Sequence, residues 1–160
     1  MRFAILLFCC AAALGQTTAP PPSDQKPKAQ EYGLGVGAPA GKHLGGVDIL
    51  SDTQGVDFGA YLKEVLVEIK NNWYRLIPES AAMKKGKLAI EFAITKEGKL
   101  ADMRLVATAG DTILDRAAWG SITACNPFKP LPAKFTGRYL ALRMRFYYNP
   151  DKSDTKPGSN

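Results

Sequence analysis

Cysteine and histidine are scarce in this 160-residue chain, with three of the first and one of the second. Cys9 and Cys10 lie in an apolar N-terminal stretch, so Cys125 is the one thiol left in the body of the protein. One thiol cannot close an intrachain disulfide even in an oxidising compartment. A thiol nucleophile needs a base, and the single His43 sits among glycines far from it in sequence. The same scarcity argues against a structural zinc site. Cys125 is therefore read as a small buried thiol on a helix face. A glycine-rich phosphate loop on a strand-helix junction is also missing, because Gly33-Leu34-Gly35-Val36-Gly37 is too short and falls in a linker. Glu91 and Asp102 would face each other only in one hairpin register, and such carboxylates are usually solvated. These residues predict no enzyme, no cofactor and no metal.

A long hydrophobic run is absent as well. Met1-Arg2 is followed by an apolar stretch from Phe3 to Leu14, about 12 residues where a spanning helix needs roughly 20. One positive charge, a short apolar core and the small residues Ala13 and Gly15 predict a secretory signal, residues 1–15, cut after Gly15. The remainder is then expected outside the cytoplasm. Loss of Arg2 takes the 21 basic side chains to 20 against 15 acidic, a modest +5. The excess is spread out, its densest cluster being Lys84, Lys85 and Lys87 beside a turn. No basic face with interleaved aromatics marks a nucleic-acid partner.

What is present divides into a tether and a domain. Residues 16–46 are rich first in Pro, Thr, Lys and Gln and then in Gly and Ala, which predicts a disordered linker. Residues 151–160 are polar and read as a tail. The folded domain is expected over residues 47–150 and opens with Val47-Asp48-Ile49-Leu50 as a short strand. Asp57 is positioned to cap a helix whose apolar stripe is Phe58, Tyr61, Leu62, Val65, Leu66, Ile69 and Trp73. Pro78 closes it.

Leu88, Ile90, Phe92 and Ile94 then alternate with Lys87, Ala89, Glu91 and Ala93, a strand period of two. Gly98 suits the turn to a return strand with Met103, Leu105 and Ala107 on one face. Asp111 caps a second helix with Leu114, Ala117, Ala118, Ile122 and Cys125 in its stripe. Pro127, Pro130 and Pro132 follow as an extended connection. The last strand alternates Leu140, Leu142, Met144, Phe146 and Tyr148 with Tyr139, Ala141, Arg143, Arg145 and Tyr147. The predicted class is α+β: a helix, then β-β-α-β, with a three-stranded antiparallel sheet in order 2-1-3 and helices on one face.

Three stretches in this order resemble the C-terminal domain of the TonB and TolA family of periplasmic envelope proteins. They are Ile90–Ile94 with Lys96-Glu97-Gly98-Lys99-Leu100; Ala109-Gly110-Asp111 with Leu114-Asp115-Arg116-Ala117-Ala118; and Pro127–Pro132 with Leu142–Tyr148. Asn71-Asn72-Trp73-Tyr74 looks closer to the TolA-like branch. The resemblance implies a non-enzymatic periplasmic module that binds an extended peptide segment of an envelope or outer-membrane protein by strand addition. It does not imply nucleic acid or a small-molecule substrate.

In the 2-1-3 order the last strand is an edge, so Tyr139, Ala141, Arg143, Arg145 and Tyr147 are the expected partner-binding residues. Arg143 and Arg145 read equally well as charges that keep that edge monomeric, and pairing of the same edges in a homodimer is a further alternative. Were residues 1–15 retained, the chain would instead resemble a membrane-anchored, TonB-type energy transducer supporting outer-membrane transport.

Overall fold

The computed structural model describes residues 43, 44 and 46–150. The expected signal, nearly all of the linker and the tail lie outside the described residues. Five strands form one sheet: β1 (His43–Leu44), β2 (Val47–Ile49), β3 (Gly86–Thr95), β4 (Leu100–Ala107) and β5 (Tyr139–Tyr148), in the order β1-β2-β5-β3-β4, with every pairing antiparallel. Two helices, α1 (Gly59–Leu76) and α2 (Thr112–Thr123), complete the α+β architecture, with a short 3₁₀ turn at Glu79–Ala81. The expected 2-1-3 order survives as β4-β3-β5. The expected count of three strands does not, because β1 and β2 extend the sheet beyond β5.

α1 starts at Gly59, whose N–H donates to Asp57 Oδ1 at 3.0 Å. Its stripe puts Tyr61, Leu62, Val65 and Ile69 in the core, with Leu66 and Trp73 packed partly against it. The helix stops two residues before Pro78, which cannot donate to a continuing turn. α2 is capped as its sequence suggests: Ile113 N–H donates to Asp111 Oδ1 at 2.8 Å. Leu114, Ala117, Ala118 and Ile122 are buried along it. Asp115 turns back to accept the Ala109 N–H at 2.8 Å, tying the end of β4 to the first turn of α2.

β3 is the spine of the sheet, paired along its whole length with β5 from Gly86↔Tyr148 to Thr95↔Tyr139. Leu88, Ile90, Phe92 and Ile94 meet Leu140, Leu142 and Phe146 in a single core together with both helices. Burying each such side chain contributes about 1.5–3 kcal/mol. β4 departs from the strict alternation. Its register on β3 slips twice, so Leu105 lies opposite Ile90 but Ala107 lies opposite Ala89. A bulge at Val106 thus moves Ala107 off the face it was expected to share with Met103 and Leu105.

The turn at residues 96–99 is closed from outside by the proline-rich connection. Phe128 N–H donates to Gly98 O at 2.8 Å and Leu131 N–H to Lys96 O at 3.0 Å. Gly98 has φ +87°, and a Cβ there would stand 2.1 Å from Phe128 O. Glycine is required at this position by the contact as much as by the turn.

Candidate binding edge and the charged face of the sheet

β5 faces β3 with the backbone groups of its even-numbered residues and turns those of its odd-numbered residues outward. Two hydrogen bonds fix this: Leu50 N–H donates to Ala141 O at 2.8 Å, and Arg145 N–H to Gly46 O at 2.9 Å. Between them β2 pairs as Val47↔Met144, Asp48↔Arg143 and Ile49↔Leu142. Ala141 N–H is taken by Ser51 Oγ at 3.0 Å. The outer side of β5 is therefore not an open edge from Ala141 to Arg145, which corrects the sequence-based expectation. The expectation failed because the covering strand has three residues and lies more than 90 positions upstream. Among the described strands, β4 forms the long outer edge of the sheet, and the two-residue β1 forms the other.

The five residues expected at the edge separate by environment. Ala141 is buried at 1 % exposure, opposite Ala93 of β3. Tyr139 and Tyr147 are half-buried at the two ends of β5, beyond the reach of β2. Arg143 and Arg145 are both engaged. Arg143 donates through Nε and Nη2 to Glu91 Oε1 at 2.9 and 2.6 Å. Arg145 Nη2 stands 2.8 Å from Asp48 Oδ2.

The two carboxylates, Glu91 and Asp48, are each only 1 % exposed, whereas the guanidinium side chains remain 23 % and 28 % exposed. Register extends the pattern across the sheet. Asp48 lies beside Arg143, Arg143 beside Glu91, and Glu91 beside Arg104, so charges alternate over four strands. Glu91 is thus neither solvated nor opposite Asp102, which pairs with Ala93 instead. Buried acids are retained here by arginines that keep one side in water.

Among the described residues, the groove along α1 and the surroundings of Cys125 bring no reactive groups together. A groove of about 640 Å³ runs along α1, lined by Ala60, Tyr61, Lys63, Glu64, Val67 and Lys129. Tyr61 OH donates to Lys129 O at 2.9 Å, and Lys129 Nζ bonds Glu64 at 2.7 Å. Burial pushes the Tyr61 hydroxyl well above the usual phenol range. Cys125 is 2 % exposed and donates to Ser121 O at 3.1 Å, while Asn72 donates to its sulfur at 3.1 Å. Burial pushes its thiol up to about 11, the opposite of what a nucleophile needs. Among the described residues no group of three His, Cys, Asp or Glu is placed to hold a metal ion, and no helix is long and apolar enough to cross a membrane.

Two solution structures of the Helicobacter pylori TonB C-terminal domain are similar to this chain. The first, of residues 179–285 of that protein, is 21 % identical, with a TM-score of 0.41, over 64 % of this chain and 94 % of that one. The second, of residues 194–285, is 20 % identical, with a TM-score of 0.37, over 54 % and 97 %. No curated protein matches. Residues 78–150, from the end of α1 through β5, match the family model of the Gram-negative bacterial TonB protein C-terminal domain. The likeness of this chain to the TonB C-terminal domain family is thus carried by residues 78–150.

Proposed function

We propose that this domain is a protein-interaction module of the cell envelope that captures an extended segment of a partner protein by adding it as a strand beside β5. The observation that supports the reading is that the outer side of β5 is paired with only a short segment of the chain itself, the three-residue β2. β2 spans three of the ten residues of β5, so the ends at Tyr139 and Tyr147 are left to other contacts. A strand in this position gains backbone hydrogen bonds from any sequence and specificity from alternate side chains. Arg143, Arg145 and the two tyrosines favour a segment with acidic or aromatic residues. The match of residues 78–150 to the TonB C-terminal model supports an envelope setting and a binding role in place of catalysis. Export by residues 1–15, with cleavage after Gly15, belongs to the same reading.

The test is titration of isotope-labelled protein with peptides from outer-membrane transporters or Tol-type envelope partners. Chemical-shift changes are expected along Tyr139–Tyr148. A saturating peptide that leaves this strand unperturbed would falsify the proposal.

A second reading is favoured by the family model itself, which describes TonB proteins. In it residues 1–15 stay attached and anchor an energy transducer in the membrane. Mass spectrometry of the mature N-terminus separates the two, since Gln16 as the first residue rules out the anchored form.

A further inference from the structure

Resting on the strand-capture reading above, we infer that β2 is a built-in occupant of the binding edge, and that the partner is an apolar-acidic-apolar segment which displaces it. β2 reads Val47-Asp48-Ile49. Its two apolar side chains point into the core at 1 % and 3 % exposure, alongside Met144 and Leu142. Its acid points to the opposite face, where it lies in register with Arg143 and 2.8 Å from Arg145. All three side chains are therefore fitted to the sites that β5 provides. A strand that replaces β2 must fill both apolar sites and neutralise Arg145, or leave a cavity and an uncompensated charge.

Two features make β2 replaceable. It pairs over three residues only, and the element outside it, β1, has two, so few ladder bonds hold it compared with the ten-pair β3–β5 ladder. The family match begins at residue 78, so β2 lies outside the matched region whose last strand it covers. Gly46, with φ +97°, and Gln54-Gly55, both at positive φ, bracket the segment with turns. Competition from this tethered strand lowers the apparent affinity of any partner by the fraction of molecules in which the edge is vacant. The domain would then reject weak or mismatched segments and respond to those carrying a carboxylate opposite Arg143 and Arg145.

The probe is a synthetic peptide copying residues 45–52, Gly-Gly-Val-Asp-Ile-Leu-Ser-Asp, titrated into the full chain with amide chemical shifts followed. On the wild type it should bind weakly and shift both Val47–Ile49 and Tyr139–Tyr148. Asp48→Lys sets a like charge against Arg143 and Arg145, so affinity should rise by about tenfold or more. The same peptide with lysine in place of its first aspartate should bind about tenfold more weakly or not at all.

Val47 and Met144 face each other between the hydrogen-bonded pairs Gly46–Arg145 and Asp48–Arg143. Cα atoms in such a non-hydrogen-bonded pair are about 4.5 Å apart, within disulfide range. The double variant V47C/M144C should therefore lose peptide binding when oxidised and regain it on reduction. Should Asp48→Lys fail to fold, this stapled variant decides alone.

Equal affinity for wild type and Asp48→Lys, or undiminished binding to the oxidised staple, overturns the inference. A transporter-derived peptide that shifts β5 while the Val47–Ile49 amides stay fixed overturns the inference and leaves the strand-capture reading standing. Silence of β5 toward every peptide, in wild type and Asp48→Lys alike, overturns both.

Discussion

Two glycines with nearly the same backbone angle carry different weights in this fold. Gly98 (φ +87°) and Gly110 (φ +78°) both lie in the left-handed region, but a Cβ at Gly110 would meet open space, while one at Gly98 would run into Phe128 O. Gly110→Ala is expected to cost about 1 kcal/mol, from backbone strain alone. Gly98→Ala must in addition push the proline-rich connection off the hairpin turn, breaking the Phe128–Gly98 hydrogen bond, and should cost at least about 2 kcal/mol. Denaturant melts of the two variants measure the difference. Equal losses would mean that the connection yields freely.

Cys125 makes a pH prediction at the same scale. Its thiol ionises near 9.0 when unfolded and near 11 when folded, because burial disfavours the thiolate. Between those values the native state holds a proton that the unfolded chain has released, so stability falls as pH rises. The contribution is complete below about pH 9 and is lost on the way to 11. Tyr148, also raised by burial, adds a loss in the same direction above the usual phenol range. Thermal melts from about pH 8 to about pH 10.5 should therefore show a falling Tm, with a shallower slope in Cys125→Ala. An unchanged slope in that variant would remove the thiol from the account.

At the scale of elements, the sheet is joined by its charged face as well as by its core. Replacing Arg143 by Met takes from Glu91, 1 % exposed, the guanidinium that bonds it across β3 and β5. That loss is expected to cost about 3 kcal/mol. The double variant Glu91→Leu with Arg143→Met removes the charge together with its partner and should recover most of the stability. A double variant no better than Arg143→Met would show that the pair does not act as a unit. The same ladder explains why Arg143 and Arg145 could be read from sequence either as binding residues or as edge guards. Both arginines are tied to carboxylates on neighbouring strands, and which acid each one meets depends on pairings between distant segments.

The whole molecule was legible in sequence wherever a long segment repeated one period. The apolar residues of α1 at three- and four-residue steps, and the ten alternating residues of β5, each specify an element and its buried face without reference to the rest. Asp111 as a cap and Gly98 as a turn residue are equally local. The bulge at Val106 was not legible, since nothing in Leu105-Val106-Ala107 separates a slipped register from a regular one. Nor was the fate of the binding edge. Val47-Asp48-Ile49 could be read as a short strand, but its partner lies about 95 residues downstream, and three residues carry too little pattern to choose one. The sequence therefore placed the proposed binding residues on β5 and missed the strand β2 that lies beside them.

The central claim is that β5 receives an extended partner strand on its outer side. The most direct measurement is the set of intermolecular nuclear Overhauser contacts between the labelled full chain and a bound transporter-derived peptide. The account predicts a ladder of backbone contacts from the peptide to Ala141, Arg143 and Arg145, with an acidic peptide side chain beside the two arginines. Contacts confined to the α1 groove or to the β4 edge, with none along β5, would contradict it.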